Sequence, residues 1–221
     1  MARSKKGILD NDISGSVANV VYSSRNGKPY IRAKPAQYRD RKSPAQLASR
    51  MKLSMLSGLI KTFKPALDIG FKDTPVGKSP RDVAYRANAK DVIRGEYPEM
   101  YIHYPEFKVS AGTLDGPQSC ETVWNENTLE ISWDAARPER GHGDASDRLM
   151  LVLYEENNGS LFTEQFISRR SEGQLILELD QRFLQTQSND STQPKLHLWL
   201  SFTSADARQI SDSTYVKIYD I

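Results

Sequence analysis

Residues 14–35 read S-G-S-V-A-N-V-V-Y-S-S-R-N-G-K-P-Y-I-R-A-K-P, and this stretch decides how the fold begins. Two runs rich in β-branched and aromatic residues, 17–23 and 29–33, lie on either side of Asn26 and Gly27. Asn-Gly is the strongest short hairpin signal, because a type I′ turn requires positive φ at both central residues. The stretch therefore predicts a β-hairpin that turns at Asn26 and Gly27.

A helix is predicted directly after the hairpin, because three start signals agree within residues 43–46. Ser43 suits the N-cap, Pro44 suits the first helical position, and Gln46 completes a capping box. Apolar side chains then recur every three or four residues up to Phe63, which predicts one buried face, and Pro65 is expected to end the helix.

A second helix is predicted where the same start signal returns at residues 78–82. It is expected to run from Pro80 to about Arg94 and to end at Gly95, which suits a C-cap. The first half of the chain is therefore predicted to be an α+β unit made of a β-hairpin and two helices.

The charge is distributed unevenly along the chain. Residues 1–65 carry 14 Lys and Arg against three Asp, a net charge of +11, whereas residues 109–221 carry nine against 18 acidic residues, a net charge of −9. Such a split indicates an electrostatic role for the first segment, or attraction between the halves of neighbouring copies. The alternative is that these charges only keep a small domain soluble.

The second half changes to short runs with alternating polarity, separated by polar turns. Strands at this spacing predict an antiparallel β-sandwich of about seven strands. The six clearest runs are residues 128–134, 149–154, 161–167, 174–179, 195–203 and 215–219.

Part of this half resembles the fibronectin type III fold. The run L-E-I-S-W-D-A at residues 129–135 is similar to the second strand of that fold with its buried tryptophan, here Trp133. The run S-D-S-T-Y-V at residues 211–216 is similar to its last hairpin. The resemblance implies an all-β, immunoglobulin/fibronectin III-like sandwich.

Almost the whole chain also resembles an uncharacterised family from Bacteroidetes that carries a domain of unknown function. The resemblance rests on V-x-N-V-V at residues 17–21, N-G-K-x-Y-I-R at 26–32 and S-P-x-Q-x-x-x-R at 43–50. The segment before the first helix, residues 34–46, also resembles an element of phage-associated proteins. No activity follows, because none is assigned to these families.

Three regions are predicted from these patterns. Residues 1–95 are interpreted as a basic hairpin-and-helix domain, and residues 111–221 as the β-sandwich domain. Residues 96–110, rich in Tyr and Pro, are interpreted as a connector that wedges the two domains together or offers a tyrosine binding surface.

The residue types that carry chemistry do not form a recognisable pattern. Cys120 is the only cysteine, and His103, His142 and His197 lack the spacing of a metal site. His197 is predicted to face outward beside Trp199. We therefore expect no enzyme activity, no catalytic or metal-binding residues, no cofactor and no small-molecule substrate.

The chain also lacks the sequence signals of membrane insertion or export. No run approaches the roughly 20 apolar residues that cross a bilayer, and no apolar core follows the basic N-terminus. The expectation is a cytoplasmic protein without a membrane span, with incorporation into a larger particle left open.

The basic hairpin and the residues after it form the candidate binding surface. The leading hypothesis is a non-enzymatic structural, assembly or interaction protein that binds a protein partner or associates with itself. The alternative is a protein that binds nucleic acid or another polyanion through residues 22–42. The candidate residues are Arg25, Lys28, Arg32, Lys34, Arg39, Arg41 and Lys42, with Tyr22, Tyr30 and Tyr38.

Overall fold

The computed structural model describes residues 14–25, 28–35, 40–75, 77–125, 128–135, 142–180 and 194–218. The chain divides into two compact units, Met1–Pro44 and Ala45–Ile221. The boundaries predicted at residues 95 and 110 both lie inside the second unit.

The first unit contains a three-stranded antiparallel sheet in the order β1-β2-β3. Its strands are β1 (Gly15–Val17), β2 (Val20–Arg25) and β3 (Lys28–Ala33). Arg25 pairs with Lys28, which leaves two residues for the loop between β2 and β3, as the predicted hairpin requires. The turn residues 26 and 27 lie outside the described residues. The short strand β1 was not predicted, because three residues are too few for a periodic pattern.

The second unit begins with three helices, α1 (Pro44–Thr62), α2 (Lys64–Gly70) and α3 (Pro80–Asn88). The predicted start and buried face of α1 are confirmed, since Leu56, Leu59 and Ile60 are buried on one side. Pro65 does more than end α1. It lies in the first turn of α2, where a missing N–H removes no helical hydrogen bond.

The start of α3 is confirmed and its predicted end is wrong. The Ser79 hydroxyl accepts a hydrogen bond from the Asp82 N–H at 3.2 Å, and the Asp82 carboxylate accepts one from the Ser79 N–H at 3.3 Å. The helix ends at Asn88, and the apolar residues after it form a two-stranded sheet. Strand β4 (Ile93–Arg94) pairs with β5 (Tyr101–Ile102).

Seven further strands form two antiparallel sheets. They are β6 (Glu121–Asn125), β7 (Thr128–Ser132), β8 (Arg148–Glu155), β9 (Ser160–Arg169), β10 (Gln174–Glu178), β11 (Leu196–Thr203) and β12 (Thr214–Lys217). One sheet has the order β10-β7-β6 and the other β12-β11-β8-β9. The predicted α+β class with antiparallel sheets is confirmed. Strand β6 was missed because its alternation is not hydrophobic-in: Val123 lies on the exposed side and Thr122 on the inner side.

The two central strands of the four-stranded sheet, β8 and β11, are buried on both faces. Leu151 of β8 and Leu198 of β11 pack with Leu129 and other side chains of the three-stranded sheet. On the opposite face, Trp199 of β11 belongs to a second core with Phe63, which follows α1. Burial on both sides explains the uninterrupted apolar sequence of β8.

A buried ion pair lies at one end of the two sheets. The Arg170 guanidinium contacts the Asp147 carboxylate at 3.1 Å and donates to the Asp115 carbonyl at 2.7 Å. It also lies over the Phe202 ring, 3.9 Å from the centroid. The Trp133 indole N–H donates to the Arg170 carbonyl at 2.9 Å, so the tryptophan and the ion pair support each other.

The segment 109–114 is hydrogen-bonded on two sides. The Ala111 N–H donates to the carbonyl of Gly70, the last residue of α2, at 3.2 Å. The Val109 N–H donates to the Ser213 hydroxyl at 3.0 Å, just before β12. The helices and the sheets of the second unit are therefore joined by ordered backbone at the end of the predicted connector.

Candidate interaction surface

The strands β2 and β3 place four of the predicted residues on one face of the N-terminal sheet. Side chains alternate between the two faces of a strand, and directly paired residues share a face. Because Arg25 pairs with Lys28, and Tyr30 and Arg32 follow at two-residue steps, these four side chains lie together. All four are exposed, and they are called the basic face below.

Three of the four side chains of the basic face are positively charged, and none of the four is acidic. Arg25 lies directly opposite Lys28, and like charges in that position destabilise a sheet. Tyr30 adds an aromatic ring that is 45% exposed. An anionic partner would relieve the repulsion and cover the ring at the same time.

The opposite side of the same sheet is apolar and also open. It carries Val17, Val20, Tyr22, Ile31 and Ala33, which are called the apolar face below. Ile31 is 63% exposed and Val17 50% exposed. Tyr22 therefore lies on the side away from the basic face, and none of the described residues before Ala45 is buried.

The remaining candidates follow the sheet or lie outside the described residues. Lys34, Arg41 and Lys42 are exposed between β3 and α1. The Lys34 N–H donates to the Asn19 carbonyl at 2.7 Å, and the Lys42 N–H donates to the Asp40 carboxylate at 3.2 Å. Tyr38 and Arg39 lie outside the described residues. The structure thus groups four of the ten candidates on one surface.

Sequence reasoning missed a second open surface, the outer side of the sheet β10-β7-β6. It carries Glu121, Val123, Glu130, Ile176 and Glu178, which are called the acidic face below. Ile176 pairs with Glu130, and Glu130 pairs with Val123, so these three form the middle row. Val123 is 54% and Ile176 63% exposed. The signal was the alternation of each strand, but only the pairing brings the three strands together.

His197 lies in an aromatic cluster and does not simply face outward. Its Nδ1 is 2.9 Å from the Tyr215 hydroxyl, its Nε2 is 3.3 Å from the Glu156 carboxylate, and its ring stacks on Tyr104 at 4.0 Å. The neighbouring Trp199 is fully buried. The prediction of an exposed pair is therefore wrong, because the 3-10 turn that contains Tyr104 covers this part of β11.

The protonation states of this cluster follow from burial. Burial lowers the pKa of His197, and the nearby Glu156 carboxylate offsets part of the decrease. Burial raises the pKa of Tyr215, so its hydroxyl keeps its proton at neutral pH. The geometry suits a neutral His197 imidazole held between the Tyr215 hydroxyl and the Glu156 carboxylate. These contacts and the ring packing account for the cluster structurally.

Metal-binding and nucleophilic side chains are the other groups that could carry chemistry. Within them, no three His, Cys, Asp or Glu residues are grouped so that they could hold a metal ion. Burial raises the pKa of the Cys120 thiol to about 11, which keeps it protonated at neutral pH. In the part of the chain that the structure describes, no helix has both the length and the apolar character needed to cross a membrane.

One comparison with known proteins matches the chain to a family of unknown function. Residues 12–217, which include most of both units, match a family described as "Family of unknown function (DUF6266)". The comparison with curated proteins returned no match.

Proposed function

This chain belongs to DUF6266, a family of unknown function, and we propose that it is a non-enzymatic assembly protein that binds a second copy of itself through its N-terminal sheet. The observation that carries the proposal is a three-stranded sheet whose described side chains are exposed or half-buried on both faces. A sheet of three strands is near the lower limit of independent stability. A partner that covers it would add buried area to a unit in which none of the described residues is buried.

Charge complementarity favours a second copy as the partner. Residues 1–65 have a net charge of +11 and residues 109–221 a net charge of −9. Opposite charges on two surfaces accelerate encounter and fix the orientation of the complex. One kind of chain carries both surfaces, so self-association needs no further component.

The architecture of the second unit agrees with a binding module. We infer that β6 to β12 form an immunoglobulin/fibronectin III-like sandwich, with a three-stranded and a four-stranded sheet. Trp133, buried directly after the second of these strands, supports the assignment. Sandwiches of this class often serve as adhesion and scaffold modules, which is an analogy of fold and not of site.

The test is the mass of the full chain in solution, measured by sedimentation velocity over a range of concentrations. We expect association that increases with concentration and weakens at high ionic strength. The triple variant Arg25→Glu, Lys28→Glu and Arg32→Glu should be monomeric. A wild-type chain that stays monomeric at every concentration and at low ionic strength would overturn the proposal.

The control variant for this experiment carries the same change of net charge elsewhere. Lys52→Glu, Arg81→Glu and Arg86→Glu alter three exposed cations on α1 and α3. This variant should associate as the wild type does. If it is equally defective, the effect comes from net charge and not from the basic face.

One observation favours a second function, the binding of a nucleic acid on the basic face. Arg25, Lys28 and Arg32 share that face with the exposed ring of Tyr30. Cations that contact phosphates and an aromatic ring that stacks on a base are the combination that binds single strands.

This alternative is tested with the full chain and random DNA or RNA at several salt concentrations. Three phosphate contacts on duplex DNA predict a slope of about −2.7 for the logarithm of affinity against that of salt. Tyr30→Ala should weaken single-strand binding by about 1–3 kcal/mol. A monomeric chain with salt-sensitive binding would favour this function over self-association, and no binding at low salt would exclude it.

A further inference from the structure

The acidic face and the basic face have matching composition. Each combines three charges of one sign with exposed or half-buried apolar side chains near its centre. On the acidic face, Val123 and Ile176 lie on either side of Glu130 in one row. On the basic face, Tyr30 lies between Lys28 and Arg32 on β3.

The charges on the two faces also span similar lengths. Glu121, Glu130 and Glu178 lie on three neighbouring strands and are displaced by one row from strand to strand. A strand spacing of about 4.8 Å and a rise of about 3.3 Å per residue place Glu121 and Glu178 about 16 Å apart. The same rise places Lys28 and Arg32 about 13 Å apart, within the reach of long side chains.

Several other carboxylates of the second unit have partners within the chain. Glu155 is buried and accepts hydrogen bonds from the N–H groups of Asn158 and Lys195. Glu156 contacts His197 and Glu172 accepts from Ser168. On the acidic face, Glu130 accepts a hydrogen bond from the exposed Asn125 amide at 3.5 Å. The acidic face differs from the other positions because its glutamates lie beside two exposed apolar side chains on one side of a sheet.

We propose that the acidic face is the surface on which the basic face of a second copy of this chain docks. The inference rests on the proposed self-association and identifies the receiving surface. The contact joins two different surfaces, so it is heterologous. It closes into a ring or a reciprocal dimer if the geometry allows, and otherwise continues as a chain of copies.

The first test compares two single charge reversals in the full chain. Glu130→Lys lies in the middle of the acidic face, and Glu164→Lys changes an exposed glutamate on β9 of the other sheet. Glu130→Lys should raise the dissociation constant of self-association at least about tenfold, whereas Glu164→Lys should leave it nearly unchanged. Circular dichroism and thermal unfolding check that both variants fold.

The second test uses complementary reversal. One variant carries Glu121→Lys, Glu130→Lys and Glu178→Lys, and the other carries Arg25→Glu, Lys28→Glu and Arg32→Glu. Each should be monomeric alone, and an equimolar mixture should associate, because the intact basic face of the first meets the intact acidic face of the second. A mixture that stays monomeric while the wild type associates overturns the pairing of these two faces.

The outcomes separate this inference from the proposed function. If the wild type does not associate, both fail together. If the wild type associates and Arg32→Glu weakens it, but Glu130→Lys weakens it no more than Glu164→Lys, the basic face docks elsewhere. The proposed function then stands and the acidic face is excluded as its partner.

Discussion

Trp133 shows how one residue connects the two sheets of the second unit. Its ring is buried, lies edge-on to Phe202 at 6.1 Å between centroids, and donates its N–H to the Arg170 carbonyl. Trp133→Ala should lower the free energy of unfolding by about 3–5 kcal/mol, because it removes the ring and leaves a cavity. Urea unfolding followed by circular dichroism measures this loss.

The control for Trp133 is an exposed apolar residue in the same sheet. Ile176→Thr changes a side chain that is 63% exposed and should alter stability by less than about 0.5 kcal/mol. Similar effects of the two substitutions would mean that Trp133 does not occupy a packed core.

His197 makes stability depend on pH. Its pKa in the folded protein is lower than the ordinary 6.5, mainly because of burial, so the unfolded chain binds more protons in mild acid. The contribution of His197 to the free energy of unfolding should therefore be fully present above about pH 6.5 and should decrease as the pH falls below that value. His197→Gln should reduce this decrease, measured as the unfolding free energy at several pH values.

The comparison for His197 is His142→Gln, because His142 is exposed. That variant should keep the pH dependence of the wild type. A His197→Gln variant with an unchanged pH profile would contradict a role for the buried imidazole.

At the residue scale, the sequence predicts the burial of a side chain when the residues beside it in the chain show the pattern. It does not predict contacts with residues that are distant in the chain. Trp133 follows two apolar residues at alternating positions, so its burial could be predicted. The partners of His197 could not, since Tyr104 and Glu156 are distant in the chain and meet it only after folding.

At the scale of elements, two helical glycines should respond in opposite directions to the same substitution. A Cβ at Gly58 of α1 would meet no atom within 4 Å, whereas a Cβ at Gly70 of α2 would overlap the Val109 carbonyl oxygen. Gly58→Ala should stabilise the protein by about 0.5–1 kcal/mol, and Gly70→Ala should destabilise it. Thermal unfolding of both variants provides the measurement, and a stabilising Gly70→Ala would contradict the close approach.

The elements that begin at helix-capping residues or are joined by a turn sequence were predictable. The capping residues Ser79 and Asp82 located the start of α3, and Asn26 with Gly27 indicated the hairpin. The end of α3 was not predictable, because Val92 and Ile93 continue the apolar pattern of a helix. In the structure Ile93 begins strand β4, Val92 precedes it, and both side chains are buried in the core. Tertiary packing decided between the two.

The two interaction surfaces also differ in how far the sequence alone predicts them. The basic face follows from alternation along β3, and the pairing of Tyr22 with Ile31 places Tyr22 on the opposite side. The acidic face depends on the pairing of β6, β7 and β10, and β10 is separated from β7 by more than 40 residues. Periodicity within one strand does not contain that information.

At the scale of the whole molecule, the helices and the sheets of the second unit should unfold together. Phe63 is fully buried, and its ring lies 5.3 Å from that of Trp199 and 4.9 Å from that of Tyr154. Phe63→Ala should cost about 3–5 kcal/mol. Because both rings belong to one core, tryptophan fluorescence and far-ultraviolet circular dichroism should report one common transition.

Leu53→Ala on the exposed side of α1 is the matched control and should have a small effect. Two separate transitions would favour independent domains at residues 1–95 and 111–221. The shared core was hard to predict, because His197, Ser201 and Thr203 on the second side of β11 resemble a solvent-facing pattern.

The hydrogen-bonded segment 109–114 determines where this chain can be shortened. A fragment that begins at residue 111 would lose the helices that pack against Trp199 and would expose the side chains of β8 and β11 in that core. Such a fragment should aggregate when it is expressed. A fragment that begins at residue 45 keeps both cores, so the C-terminal sheets should remain soluble in it for binding studies.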